Sequence, residues 1–162
     1  MYQLKEVKTL IEAKRVAEFL TSADAFDQTW APAEKSIVHQ APVDSLKNKH
    51  HKYWYIEKGD QVIAAAGVRE NKYGSGGYEM DSDYIAVHRN FRQAGLGCQL
   101  LTQIKNYVKN QKGRYIHVVS CDIDSYKPAR LFYKKLGYKQ VSHIPDYYVK
   151  GEGRIDLFKA LS

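Results

Sequence analysis

No stretch of this chain reaches the roughly 18 consecutive apolar residues that a membrane span requires, and its first seven residues lack the basic and apolar regions of a secretory signal. The expectation is a cytoplasmic protein with no membrane partner. Cysteine is scarce: Cys98 and Cys121 are alone, show no C-x-x-C spacing, and fit reduced thiols better than a disulfide scaffold. His50 and His51 are adjacent and have no Cys or acidic partner at a ligand spacing, so no metal is expected. Internal repeats, low-complexity tracts and Pro/Ser-rich linkers are also missing, which leaves no ground for dividing the chain. Its 162 residues, 44% of them hydrophobic, suit one domain spanning 1–162.

Charge of one sign is in excess. A net charge of +7 and a pI near 9.3 favour anionic partners, but this attraction does not separate coenzyme phosphates from nucleic acid or an acidic protein. Lysines gather at Lys47, Lys49 and Lys52 and again from Lys127 through Lys139, and both groups read as solvated surface. No nucleic-acid recognition motif accompanies them, so a nucleic-acid partner is not expected.

The periodicities give a series of elements. Tyr2 to Val7 reads as a short strand, followed by a helix opened by the capping box Thr9-x-x-Glu12, with Leu10, Ala13, Ala17 and Leu20 on one face. Ser22 to Asn48 is weakly patterned, with Pro32 and Pro42 as breakers around one helix near 33–39. Apolar runs on either side of Glu57-Lys58-Gly59-Asp60 predict a β-hairpin. After the glycine-rich loop at 74–77, Tyr78 to Val87 reads as a strand that places Glu79, Asp81, Asp83, Ile85 and Val87 on one face. A second helix is expected over 95–110, with Leu100, Leu101, Ile104, Tyr107 and Val108 inward and Gly113 as its stop, then a strand at 115–120 and a helix over 128–136. The remainder from Tyr138 reads as β. Early strands come without helices between them and later ones alternate with helices, which predicts an α/β fold with a mixed sheet.

The sharpest motif is Arg92-Gln93-Ala94-Gly95-Leu96-Gly97, between an expected strand and an expected helix. Glycines there allow close main-chain approach, and unpaired N–H groups with the helix dipole favour a phosphate. Position 100 is leucine, not the glycine of a dinucleotide fingerprint, and no Lys-Ser/Thr pair completes a P-loop. A tight turn without a ligand is the alternative.

Together with a second stretch about thirty residues on, Ala129-Arg130-Leu131-Phe132-Tyr133-Lys134-Lys135-Leu136-Gly137-Tyr138, the loop resembles the two signatures of the GNAT N-acetyltransferases. The resemblance implies a mixed, mostly antiparallel sheet of six to seven strands, splayed after the fourth and flanked by about four helices. It implies acetyl-CoA as co-substrate, with its pyrophosphate on the amides around Gln93 to Cys98 (Gln93, Ala94, Gly95, Leu96, Gly97, Cys98) beside Arg92. The main chain of Ile85, Ala86 and Val87 would pair with the pantetheine arm. Arg130 and Lys134, with Lys127, are candidates for the remaining phosphate, or simply a solvated helix face. Tyr126, three residues before Ala129, stands where many members carry an asparagine, which puts one polar contact to the coenzyme in doubt.

The same resemblance implies direct transfer to a primary amine. Asp81 is the first choice for the base, with Glu79 and Asp83 beside it. Alternatively these carboxylates bind a cationic substrate or face water. Tyr133 would be the acid for the departing thiolate, although its place in an apolar helical stripe also fits the core. Cys98 fits packing better than nucleophilic work. Tyr147 and Tyr148 line the acceptor pocket or cover the core. The rival readings are a non-catalytic acyl-CoA sensor and a basic nucleic-acid binder. The amine acceptor, a cationic small molecule being one class, and the oligomeric state, a homodimer included, stay open.

Overall fold

Local signals start the fold. The Thr9 side chain accepts from the Glu12 amide while Glu12 reaches back to the Thr9 amide, so the expected capping box opens helix α1 (Leu10–Leu20). Its buried face is Ala13, Val16, Ala17, Phe19 and Leu20; Leu10, expected on that face, is exposed. The computed structural model describes residues 2–26 and 28–161. Before α1 lies strand β1 (Leu4–Glu6), and after it helix α2 (Glu34–Asp44), which is longer than the sequence suggests. Pro42 sits inside α2 rather than ending it, and having no N–H it cannot donate to the Val38 carbonyl one turn back.

Strands β2 (His51–Lys58) and β3 (Gln61–Glu70) form the expected hairpin around Gly59 and Asp60, with Gly59 at φ +59°. Next come β4 (Gly77–Met80) and β5 (Ala86–Val87), then helix α3 (Leu96–Asn110), strand β6 (Tyr115–Cys121), helix α4 (Lys127–Lys135), and the hairpin of β7 (Lys139–Val149) and β8 (Glu152–Ala160). The sheet order is β1-β2-β3-β4-β6-β8-β7, with β5 on β3, and only β4–β6 is parallel. The sheet thus has seven strand positions, because β5 resumes the place of β4.

The sheet separates two cores. On one side α1 and α2 cover Tyr53, Tyr55, Val62 and Ala65; on the other α3 and α4 cover Trp54, Ile56, Ala66, Val68 and Ile116. The alternation of β2 and β3 residues between these sides is the period-two rule of a strand buried on both faces.

The strand expected over 78–87 is broken, and this corrects the reading of one acidic face. Glu79 pairs with Arg69 and Ala86 with Ala65, so seven residue steps on this strand span four on β3 and three residues are extra. The excursion from Asp81 to Ile85 is fastened by Asp83, which is fully buried. Its carboxylate accepts from His51 Nε2 (2.8 Å), the Tyr53 hydroxyl (2.6 Å) and Arg69 Nε and Nη2 (2.6 and 3.0 Å). Burial opposes ionisation of Asp83, but the hydrogen bonds and charges of His51 and Arg69 outweigh it and hold the carboxyl below its ordinary value.

Parallel pairing of β4 and β6 ends at Met80 and Val118. Beyond it the excursion leaves β6, whose residues Val119 to Cys121 pair only with β8. The sheet opens there into a cleft.

Two stability tests follow from this packing. A Cβ on Gly67 would lie 2.3 Å from the Tyr53 ring, so Gly67→Ala should cost about 1–3 kcal/mol in urea unfolding. Asp83→Asn should cost about 3–5 kcal/mol near neutral pH by stranding buried partners. Folding lowers this carboxyl's pKa, so its contribution is complete above the unfolded value of about 4 and disappears as pH falls through the folded value. Urea titrations at neutral and acid pH should therefore show a smaller loss of stability on acidification for Asp83→Asn than for the parent.

Candidate active site

The cleft between the broken strand and β6 is lined by Met80, Asp81, Tyr84 and Ile85 from the former, Val119 to Cys121 from β6, Tyr126 just before α4, and Ala129 and Tyr133 on α4. Its outer part is closed by Phe26, Glu34, Tyr148 and Glu152.

After β5 the chain makes a 3-10 turn (Arg89–Phe91) and enters α3 through Arg92 to Gly97. Gln93 and Gly95 both take positive φ (72° and 79°), alternating with right-handed or extended neighbours, and this turns successive amides in one direction. Among the described residues, the amides of Gln93 to Cys98 have no partner within the protein; the first helical bond runs from Gln99 N–H to Gly95 C=O. No acidic residue lies in the first turn of α3, so the positive end of a fifteen-residue helix is uncompensated. The geometry fits an anion, as the motif suggested. Gly97 gives close packing: a Cβ there would stand 3.3 Å from the Phe132 ring.

Arg92 does not reach outward. Its Nε donates to Val87 C=O (3.3 Å) and its Nη2 to Ala25 C=O (3.2 Å), which holds the loop against β5. Ala86 pairs with β3, and His88 N–H donates to Ile63 C=O, so strand alternation turns Val87 N–H, and Ile85 with it, to the opposite, unpaired edge. Of the three residues expected to present main chain to the cleft, Ala86 therefore faces the sheet, and Val87 keeps only its N–H uncommitted.

Arg130 is likewise turned inward: Nη1 donates to Cys121 C=O (2.5 Å) and Ile123 C=O (3.0 Å), fastening α4 to the end of β6. Lys127 and Lys134 are exposed on the same helix. Cys98, expected to pack, is exposed, whereas Cys121 is buried at the cleft wall with its thiol pushed up by burial.

Tyr133 is only 6% exposed and lines the cleft, and no donor or acceptor within the described residues pairs with its hydroxyl. No buried side-chain N or O in the described residues is left both sealed from solvent and unpaired, so this hydroxyl opens into the cleft. Burial, and secondarily Tyr138, pushes its pKa far up, which keeps the proton on it.

The three carboxylates expected together differ in their surroundings. Asp83 borders the cleft but is fully buried and engaged by His51, Tyr53 and Arg69. Glu79 is half-buried and does not line the cleft; burial and then the charge of Asp81 push its pKa up. Asp81 does line it and is held by Arg154 Nη1 (3.3 Å). Arg154 also bonds Asp156 (3.0 Å), which takes His117 Nε2 (2.6 Å) and Ser142, and its guanidinium lies 5.1 Å over the Tyr147 ring.

Glu34, Tyr84 and Glu152 were not singled out from sequence, because tertiary folding alone brings α2, the excursion and β8 together. Of the adjacent tyrosines, Tyr148 lines the cleft and Tyr147 is exposed.

An opened mixed sheet, a helix start whose amides are free of partners among the described residues and a buried tyrosine at the opening together fit an acyl-group transferase. The family model of the acetyltransferase (GNAT) domain matches residues 49–140, and the chain belongs to that family. A GNAT-family protein from Desulfovibrio desulfuricans superposes with a TM-score of 0.83 at 19% identity over 100% of both chains. The ribosomal-protein-S18-alanine N-acetyltransferase from Escherichia coli gives 0.77 at 14% identity over 100% of this chain and 95% of that one. An aminoglycoside 6'-N-acetyltransferase complexed with coenzyme A gives 0.74 at 16% identity over 98% and 96%. These likenesses, all at low identity, establish the shared fold.

The two buried tyrosine hydroxyls should behave oppositely on removal. Tyr133→Phe loses no hydrogen bond within the protein and should change the unfolding free energy by less than about 1 kcal/mol, whereas Tyr53→Phe strips a donor from Asp83 and should cost about 1–3 kcal/mol. Urea denaturation of both variants reads the difference.

Proposed function

We propose that the protein transfers the acetyl group of acetyl-CoA directly to a primary amine. The observation that carries this reading is the pairing of six partnerless amides at the start of α3 with a tyrosine hydroxyl opening into the adjacent cleft. The amides of Gln93 to Cys98 hold the pyrophosphate, and Lys127 or Lys134 meets the remaining phosphate. The exposed edge at Ile85 and Val87 takes the pantetheine arm as a strand would be taken, which directs the thioester into the opening of the sheet. Tyr126 and Ala129 border the arm from α4.

An alkyl ammonium has a pKa of about 10.4 and must lose a proton before attack. Asp81 accepts it, directly or through water, and Arg154 keeps the carboxylate in place. The amine nitrogen bonds to the carbonyl carbon, the carbon–sulfur bond breaks, the nitrogen releases its second proton, and Tyr133 supplies a proton to the departing sulfur and is then reprotonated. Val87 N–H is placed to polarise the carbonyl oxygen. Glu79 raises the negative field behind Asp81 without entering the cleft. The reading as a coenzyme sensor without turnover shares the amide site but gives no work to Tyr133 or Asp81.

Thermal unfolding with acetyl-CoA, CoA, ATP and NAD tests the coenzyme: either CoA species at about 100 times its Kd should add about 2.7 kcal/mol, with no comparable effect from NAD. In a turnover assay across amines, Tyr133→Phe and Asp81→Asn should each lower kcat/KM about 10²-fold near neutral pH. The Asp81→Asn defect should shrink as pH approaches the amine's own pKa. Saturable CoA binding without turnover on any amine would favour the sensor.

A further inference from the structure

The outer part of the cleft holds a carboxylate with no cation. Glu34, on the first turn of α2, accepts from Ala31 N–H (3.0 Å) through Oε1 and from the Tyr84 hydroxyl (2.5 Å) and Gln28 Nε2 (3.3 Å) through Oε2. All three donors are neutral. Among the described residues no Lys, Arg or His pairs with Glu34, nor with Glu152 across the cleft, in a protein whose net charge is +7. Two half-buried carboxylates lining one cleft without a counter-charge favour a cation from solvent.

Tyr84, Tyr126 and Tyr148 line the same stretch, and Trp30 stacks on Tyr84 with ring centroids 6.4 Å apart. Rings of this kind accept an ammonium on their faces. Tyr148 lines the cleft together with Asp81 and Glu34. A separate sign of a ligand comes from Tyr133, 94% buried with its hydroxyl unpaired at the inner end.

We infer that the acceptor is a small aliphatic dication: one amine reacts beside Asp81 and Tyr133 while a second ammonium sits between Glu34 and Glu152 against the tyrosine rings. This rests on the acetyltransferase reading and adds the substrate class to it. The second ammonium is not consumed, so the chemistry is unchanged: the nitrogen–carbon bond forms at the inner amine, the carbon–sulfur bond breaks, and one proton per turnover leaves for solvent when the amine enters protonated. Lengthening the carbon chain between the two nitrogens must reach an optimum set by the separation of the two carboxylates. A monoamine leaves the outer pair uncompensated.

The test compares putrescine and spermidine with n-butylamine, at saturating acetyl-CoA, in the parent and in Glu34→Gln and Glu152→Gln. The expected result is a kcat/KM at least about tenfold higher for the diamines than for n-butylamine, falling with added salt. Each variant should reduce that ratio severalfold. Should Glu34→Gln fail to fold for want of its bonds to Ala31 and Tyr84, Glu152→Gln gives the same reading. Equal turnover of mono- and diamines, a ratio unmoved by the variants, or preference for peptide amines without a second charge would overturn the inference and leave the transferase intact. Absence of turnover on every amine would instead remove the reading beneath it.

Discussion

A single buried carboxylate governs the geometry of the site. Asp83 has no exposure, yet it is tied to two strands of the hairpin through His51, Tyr53 and Arg69. Those bonds pull the chain between β4 and β5 toward β3 and away from β6, so the sheet cannot close beyond Met80 and Val118. An ion pair of this kind adds little net stability compared with a well-packed apolar substitute, but it specifies which of several registers the strand adopts. Here the specified arrangement is the open one. Gly67 contributes by leaving room for the Tyr53 ring to lie against β3 and carry its hydroxyl to Asp83.

The opening has two consequences that are chemically distinct. It exposes a strand edge at Ile85 and Val87, beside a helix start whose amides are unpaired, and this end is suited to a long anionic ligand. It also leaves Asp81, Tyr84 and Tyr148 lining a cleft that Glu34 and Glu152 line as well. Tyr133 also lines the cleft, nearly buried, with burial keeping the proton on its hydroxyl.

The parts of this arrangement that depend on local chemistry were legible in the sequence. The capping box of α1, the hairpin turn at Gly59, the apolar face of α3 and the glycine loop all follow from neighbours within a few residues. The break after Met80 was not legible, because alternation over 78–87 is indistinguishable from a continuous strand until Asp83 finds partners 14 to 32 residues away. The inward turns of Arg92 and Arg130 were hidden for a similar reason: the carbonyls that capture them become available only when β5, β6 and α4 have assembled. Glu34 lay in the least patterned part of the chain, and its significance comes entirely from Tyr84, fifty residues on.

The central claim is that the amides at the start of α3 and the edge at Val87 form one continuous binding surface for a coenzyme whose far end reaches Tyr133. Amide chemical shifts, followed by ¹H–¹⁵N correlation spectra during titration with CoA, test it most directly. The account predicts saturable perturbation of Gln93 to Cys98 and of Val87, with the Asp83 cluster unmoved. No perturbation of these amides at millimolar CoA, or saturable perturbation confined to other surfaces, would contradict it.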